Sequence, residues 1–347
     1  LDGLHFRPCL LLGPEGMPVD FHCLPLTMCS NLSLSGTMNE TLDAYYTLKY
    51  SGNRIRQKKE YLGKVMKAHL ERCNRKAGLQ EEQIQGASRL QVCRTYGELL
   101  TANLYRLENG ISHATLEDYS REGNPLVEIP LDPSLSPGAN AKKYFKEYAK
   151  ARNILAKAEA QLEKTRQEAL YIANVLFDIE EANSLAELEQ IQKEIMTEGY
   201  LKTNVPRPKA APGDEFCPDR YRSSDGFEIL VGRNNRQNDE LTLHRASSKD
   251  IWMHARNIPG AHVVVKQDPG REISETTLRE AAAIAAWHSR YRNSGGVSID
   301  YTQIRNVKKP TGAKPGMVIY HRFSTLYVRS DKDLIIKLKE GNDPHAF

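Results

Sequence analysis

The strongest constraint in this 347-residue chain is a stretch where apolar or small residues recur at alternating intervals of four and three. Tyr144, Tyr148, Ala151, Leu155, Ala158, Leu162, Thr165, Ala169, Ile172, Leu176 and Ile179 keep that spacing without a slip, which is the a/d seam of a coiled coil. The spacing predicts one helix over 138–180, on the order of 65 Å long at about 1.5 Å per residue. A seam of that length has to be covered. Its simplest partner is the Lys-, Glu- and Leu-rich stretch 40–85, folded back through the intervening chain; a second copy of the chain is the competing partner. Gly78 and Gly86 suggest breaks in the earlier stretch. His113–Tyr119 and Leu126–Leu131 read as a small hairpin capping the arm.

The flanks differ from the arm. Residues 6–28 alternate apolar runs with a Gly13–Gly16 turn and read as strands, too few for a domain. Pro206, Pro208 and Pro212 mark a linker. Residues 219–347 alternate short strands with helical stretches, one of them over 234–246 and one capped by Ser274 and running to Tyr291. The fold class is therefore α+β: a long antiparallel coiled-coil arm with a small β-hairpin, followed by a compact α+β domain. The expected boundaries are 1–35, 36–200 with a β insert at 111–131, a linker at 201–218, and 219–347.

Composition narrows function. No apolar run approaches the ~20 residues of a membrane-spanning helix. The six cysteines form no CxxC pair, so neither a zinc site nor a redox motif is indicated. The net charge of +4 hides a segregation. Residues 49–76 sum to +8, residues 142–166 to +5, residues 168–198 to −7 and residues 219–347 to +6. Basic charge gathered on a long element is a polyanion footprint, or else a solvated helix face.

No Walker A loop, GxGxxG, GxSxG or HExxH is present, and no cofactor or metal is implied. His254 and His262 lack a third ligand at metal spacing; they read as structural histidines or as polar contacts to RNA or protein. Asp250 with His254 could do acid–base work, but no nucleophile accompanies them. The basic turn carrying Arg305, Lys308, Lys309 and Lys314, with Tyr301, Lys249, Arg256 and Lys266, could form a phosphate-contacting surface. On the arm the candidate cations are Arg54, Arg56, Lys58, Lys59, Lys142, Lys143 and Lys146.

Four blocks carry a family resemblance. The run DIWMHARNIPGAHVV at 250–264 closely resembles the signature of the NFACT-R domain of the RqcH/NEMF proteins, many of which bear an FbpA-like fibronectin-binding label. Tyr221–Asn235 resembles that domain's opening. GELLTANL at 97–104 and IPLDPSLSP at 129–137, with Asn140 and Ala141, resemble the blocks on either side of the family's hairpin. The resemblance implies a cytoplasmic ribosome-associated quality-control factor. Such a factor binds the large ribosomal subunit carrying obstructed peptidyl-tRNA, recruits tRNA, and supports C-terminal (alanine) tailing of the stalled chain, with the arm reaching toward the stalk base. The family's Asp-Arg tailing motif belongs to the NFACT-N domain. Residues 1–35 therefore read as the remnant of that domain in a fragment lacking most of it, which binds and is not an enzyme. A surface adhesin for fibronectin and an RNA-processing enzyme on the α+β domain are the alternatives.

Overall fold

A computed structural model gives the fold and describes residues 7–13, 18–24, 32–34, 36–85, 89–201 and 216–339. They fall into two compact units, one drawn from 1–70 and 170–347, the other from 71–169. The first elements among the described residues are β1 (Cys9–Leu12), β2 (Pro18–His22) and β3 (Leu32–Leu34), an antiparallel sheet in the order β2-β1-β3. Helix α1 (Met38–Gln85) follows. Thr37 and Glu40 start it as a capping box: Thr37 N donates to Glu40 Oε2 (2.8 Å) and Glu40 N to Thr37 Oγ1 (3.3 Å). The Tyr45 ring packs edge-on against Phe21 of β2, with centroids 4.8 Å apart.

Contrary to the expected break, α1 runs straight through Gly78. An interior glycine costs a helix only about 1 kcal/mol, too little to end one of 48 residues. Within the 71–169 unit, Cys73 is buried and Glu81 pairs with Arg166 at 2.8 Å. Gly86 and the predicted linker residues 202–215 lie outside the described residues. In the same unit α2 (Arg89–Ala102), the hairpin β4 (His113–Glu117) and β5 (Leu126–Pro130), and the first part of α3 (Pro137–Glu181) enclose a core of Leu99, Leu100, Leu116, Ile129 and Leu131. Glu81 meets Arg166, and farther along the chain Tyr96 meets Tyr144 (5.3 Å), so the pairing is antiparallel.

Every predicted seam position lies on α3, and none is exposed. In the unit containing 170–347, Ile172, Leu176 and Ile179 are buried, as are Leu62 and Met66 of α1, and Lys59 Nζ donates to Glu180 O at 2.8 Å. The end of the seam thus has the expected partner, α1, while its start at Tyr144 meets α2 instead.

Ser184 opens α4 (Leu185–Thr197) with a second capping box shared with Glu187. Ser184→Ala removes it and should cost about 1 kcal/mol, read as a lower urea midpoint; an unchanged midpoint would show that the box contributes nothing. Leu188, Ile191 and Ile195 form the buried stripe of α4.

The C-terminal domain runs β6 (Asp219–Arg222), β7 (Glu228–Val231), α5 (Asn235–Asp239), a π-helical turn over Glu240–Arg245, β8 (Ile251–Ala255), β9 (Val263–Val265), α6 (Glu275–Trp287), β10 (Val297–Gln303), β11 (Val307–Lys308), β12 (Ile319–Tyr320), β13 (Ser324–Val328) and α7 (Lys332–Leu338). Six strands form an antiparallel sheet in the order β13-β10-β8-β9-β7-β6. Ile284 of α6 and Ile335 of α7 join the core on one face. Leu241 and the β11–β12 ribbon cover Trp252 and Val264 on the other. Helix α6 stops at Trp287, short of the expected Tyr291, and the expected basic turn is partly strand β11.

The division of units crosses the expected linker because the end of α3 and α4 are fastened to this domain. Tyr171 OH donates to Glu194 Oε1 (2.7 Å), Asn235 Nδ2 donates to the same oxygen (3.2 Å), and Asn235 N donates to Asp178 Oδ2 (3.2 Å). Arg292 pairs with Glu181 at 2.7 Å and Arg233 with Glu187 at 3.2 Å. These ion pairs line a cleft of about 510 Å³ between α3–α4 and the sheet domain. The acidic tract is therefore not simply a solvated face, since Glu194 is 2% exposed. Burial pushes Glu194 up to about 7, against the pull of its bonds from Tyr171 and Asn235. Burial and the neighbouring Glu194 hold Asp178 well above the usual carboxylate range.

Candidate nucleic-acid interface

Strand alternation sorts the candidate residues by face. On β8, Ile251, Met253 and Ala255 point to the α6 side, and Trp252 points to the other. On β10, Val297, Ile299 and Tyr301 take the α6 side, so Tyr301 does not join the predicted basic surface. His254 shares the face of Trp252 and stacks on it at 5.8 Å; His262 meets both rings edge-on at 5.2 and 5.3 Å. Their nitrogens are engaged: His254 Nε2 donates to Gly260 O (3.2 Å), and His262 Nδ1 pairs with the Thr242 hydroxyl (2.8 Å). Burial pulls His254 down to about 4 and His262 well below its ordinary value. Near neutral pH both are uncharged packing groups, with no cation to offer a phosphate.

Asp250 is buried and accepts from Lys266 Nζ (2.5 Å), Ser247 N (2.8 Å) and Gln267 N (2.9 Å). Asp250 and His254 thus hydrogen-bond to different partners. Among the described residues no three His, Cys, Asp or Glu side chains are grouped as a metal ion requires. No helix among them is long and apolar enough to cross a membrane.

The predicted cations divide into two sets. Lys266 pairs with Asp250, Arg256 with Asp300 and Lys309 with Asp239, while Lys314 pairs with Glu198 at 3.0 Å beneath the Tyr200 ring at 4.6 Å. Lys58 pairs with Glu189, Lys143 with Asp132, and Lys59 caps a carbonyl of α3. By contrast Arg54, Arg56, Lys142, Lys146, Lys249, Arg305 and Lys308 are exposed and have no ion pair among the described residues. Three of these are drawn together. Ile304 N donates to Asp250 O (2.9 Å) and Arg305 N to Ser248 O (3.2 Å), which brings Lys249 alongside Arg305, two residues before β11 and its Lys308.

A hub around Asp300 escaped the sequence reading. Arg256 Nε lies 2.9 and 3.0 Å from its two oxygens, Tyr320 OH donates to Oδ2 (2.8 Å) and Thr325 Oγ1 to Oδ1 (2.7 Å). Burial raises Asp300, but these donors outweigh it and leave the carboxyl below its usual range. Beside the hub, Arg322 has φ of 51°, a left-handed backbone that costs a non-glycine residue about 1–2 kcal/mol. Thr302 Oγ1 holds this turn through the carbonyl oxygens of His321 (3.3 Å) and Arg322 (3.0 Å). One sequence signal could have exposed the region: residues 301–330 contain no Asp or Glu and six Lys or Arg.

The comparisons bear on both halves. The model of the NFACT N-terminal and middle domains matches residues 1–212, and that of the NFACT protein RNA binding domain matches 218–322. The reading of residues 1–35 as the remnant of a missing NFACT-N domain is therefore not supported, because a single match to the N-terminal and middle domains begins at residue 1. Rqc2 homolog RqcH of Bacillus subtilis is 37% identical over 88% of this chain and 53% of its own length. Its counterpart in Streptococcus suis is 36% identical over 87% of this chain and 54% of its own length. The chain spans about half the length of these curated relatives. A solved structure of the C-terminal of the fibronectin/fibrinogen-binding protein from Streptococcus suis superposes with a TM-score of 0.64 at 31% identity, covering 82% of this chain and 99% of that one. With its helical arm and its sheet domain each matched in order, the chain belongs to the NFACT family.

Proposed function

We propose that this chain is the ribosome-engaging part of a ribosome quality-control factor. In this reading it binds the large subunit carrying obstructed peptidyl-tRNA, contacts ribosomal RNA, stalk-base proteins and tRNA, and supports tailing of the stalled chain in the cytoplasm. It acts by binding, not by catalysis, and takes no cofactor. The observation that carries the reading is the set of seven exposed, unpaired cations on the helical arm and the domain matched as RNA-binding. The names of the RqcH relatives add support.

Contacts to phosphate release counterions, so affinity falls steeply with salt. Co-sedimentation with purified large subunits across a salt series should show that fall. Replacing Lys249, Arg305 and Lys308 together by Ala should move the curve to lower salt. Absence of any salt-sensitive pelleting would sink the reading. The description of the Streptococcus suis structure favours a second reading, fibronectin binding; capture on immobilised fibronectin, unaffected by those substitutions, would support it.

A further inference from the structure

We propose that Phe323, Arg256 and Tyr327 form a stacking platform for single-stranded RNA on the face of the C-terminal sheet opposite α6. The proposal deepens the RNA-binding reading above and rests on it. Thr325 and Tyr327 alternate with Leu326 and Val328, which pack toward the α6 core, so both point to the Asp300 face. Phe323 sits on that face as well, edge-on to Tyr320 at 5.2 Å and under the Arg256 guanidinium at 5.2 Å. Phe323 and Tyr327 are four residues apart, about 13 Å of extended backbone, and Arg256 bonds Thr325, midway between them in sequence.

Both rings are open to solvent, Phe323 at 44% exposure and Tyr327 at 70%. Neither is loose. Tyr320, itself bonded to Asp300, backs Phe323. The Tyr327 ring lies against the backbone of Gly296, where a β-carbon would collide with it. The Arg256 guanidinium is fixed by Asp300 through Nε and by the Thr325 hydroxyl through Nη2 (2.5 Å). A cation and two rings held this way meet a ligand at a reduced ordering cost.

The electrostatics select a polyanion. The only carboxylate in the hub, Asp300, is neutralised by Arg256 at 2.8 Å. Exposed Arg322 and Arg329 flank Phe323 and Tyr327 in a stretch free of acidic residues. Rings that offer open π-faces beside guanidinium groups suit unpaired bases on a phosphate chain, since every base stacks and sequence matters little. In a duplex those faces are already stacked, so double-stranded RNA gains nothing from the platform.

Fluorescence anisotropy of the full chain with a labelled 12-nucleotide oligo-uridine and a duplex of equal length tests this. F323L/Y327L keeps apolar bulk and removes the π-faces; it should weaken oligo-uridine binding by at least about tenfold and leave the salt slope and duplex binding unchanged. Unchanged oligo-uridine affinity in F323L/Y327L, with the wild-type chain still binding RNA, overturns the platform and leaves the ribosome reading standing. No RNA binding by the wild type overturns both. Loss of ribosomal-protein binding without loss of RNA binding reassigns the face to a protein partner and overturns the platform. Thermal midpoints of wild type and variant should agree, because both rings are exposed; R256K, which keeps charge and loses the fork, should weaken binding independently.

Discussion

Glu194→Gln should stabilise the protein at alkaline pH and leave it nearly unchanged in mild acid. Glu194 is 2% exposed and its carboxyl is pushed from the ordinary 4.5 up to about 7. A raised carboxylate pKa means that the native state holds a proton the unfolded state gives up. The associated stability is complete below about pH 4.5 and is lost as pH rises through about 7. At about 1.36 kcal/mol per pKa unit the loss approaches roughly 3 kcal/mol at pH 8. Glutamine is neutral throughout and keeps an oxygen to accept from Tyr171 and Asn235. The difference in urea-unfolding free energy between variant and wild type should therefore be near zero at pH 4.5 and climb toward about 3 kcal/mol at pH 8. A difference that stays flat across this range would mean that Glu194 is not protonated in the folded protein.

The acid side has an independent origin. Burial pulls His254 and His288 down to about 4, so the folded protein keeps both neutral. Their stability is present above the ordinary imidazole value of about 6.5 and is lost as pH falls from there toward about 4. Wild type is thus squeezed from both sides, and Glu194→Gln relieves only the alkaline limb.

The long helix α3 was legible because its 4-3 spacing is local: eleven positions in one segment must share a face, and the structure exposes none of them. The hairpin was legible for the same reason, as two short runs with a turn between them. What could not be read depends on partners far away in sequence. Lys309 and Lys314 count as free cations in any linear tally, yet their acids lie 70 and 116 residues away. Glu194 looks like one more charge on an acidic helix, but it borders the buried stripe of Leu188, Ile191 and Ile195 and faces Tyr171. Tyr301 and Asp300 are neighbours in sequence on opposite faces of one strand, and only the sheet shows which of them belongs to the basic surface.

Asp300→Asn should lower stability by about 2–3 kcal/mol and loosen the surface above it. The carboxylate is almost fully buried and is surrounded by donors alone: the Arg256 guanidinium, the Tyr320 hydroxyl and the Thr325 hydroxyl. Asparagine matches its shape but turns one acceptor into an NH2 that must face a donor, and it leaves Arg256 without its counter-charge. Breaking a fully buried pair costs about 3–5 kcal/mol, and leaving a neutral buried donor unmet about 1–3. Arg256 is 41% exposed and recovers water in compensation, which places the expected loss between these limits. Tyr320→Phe removes a single donor and should cost about 1 kcal/mol. If both act through the same carboxylate, the double variant should lose clearly less than the sum of the two single losses. The acid limb supplies a second readout. Because the folded carboxyl lies below its ordinary 3.8, its contribution is present above that value and disappears as pH falls through the folded one. Asp300→Asn should therefore approach wild-type stability in strong acid. Additive losses in the double variant, with a gap from wild type that does not close in acid, would show that Asp300 fills space there and organises nothing.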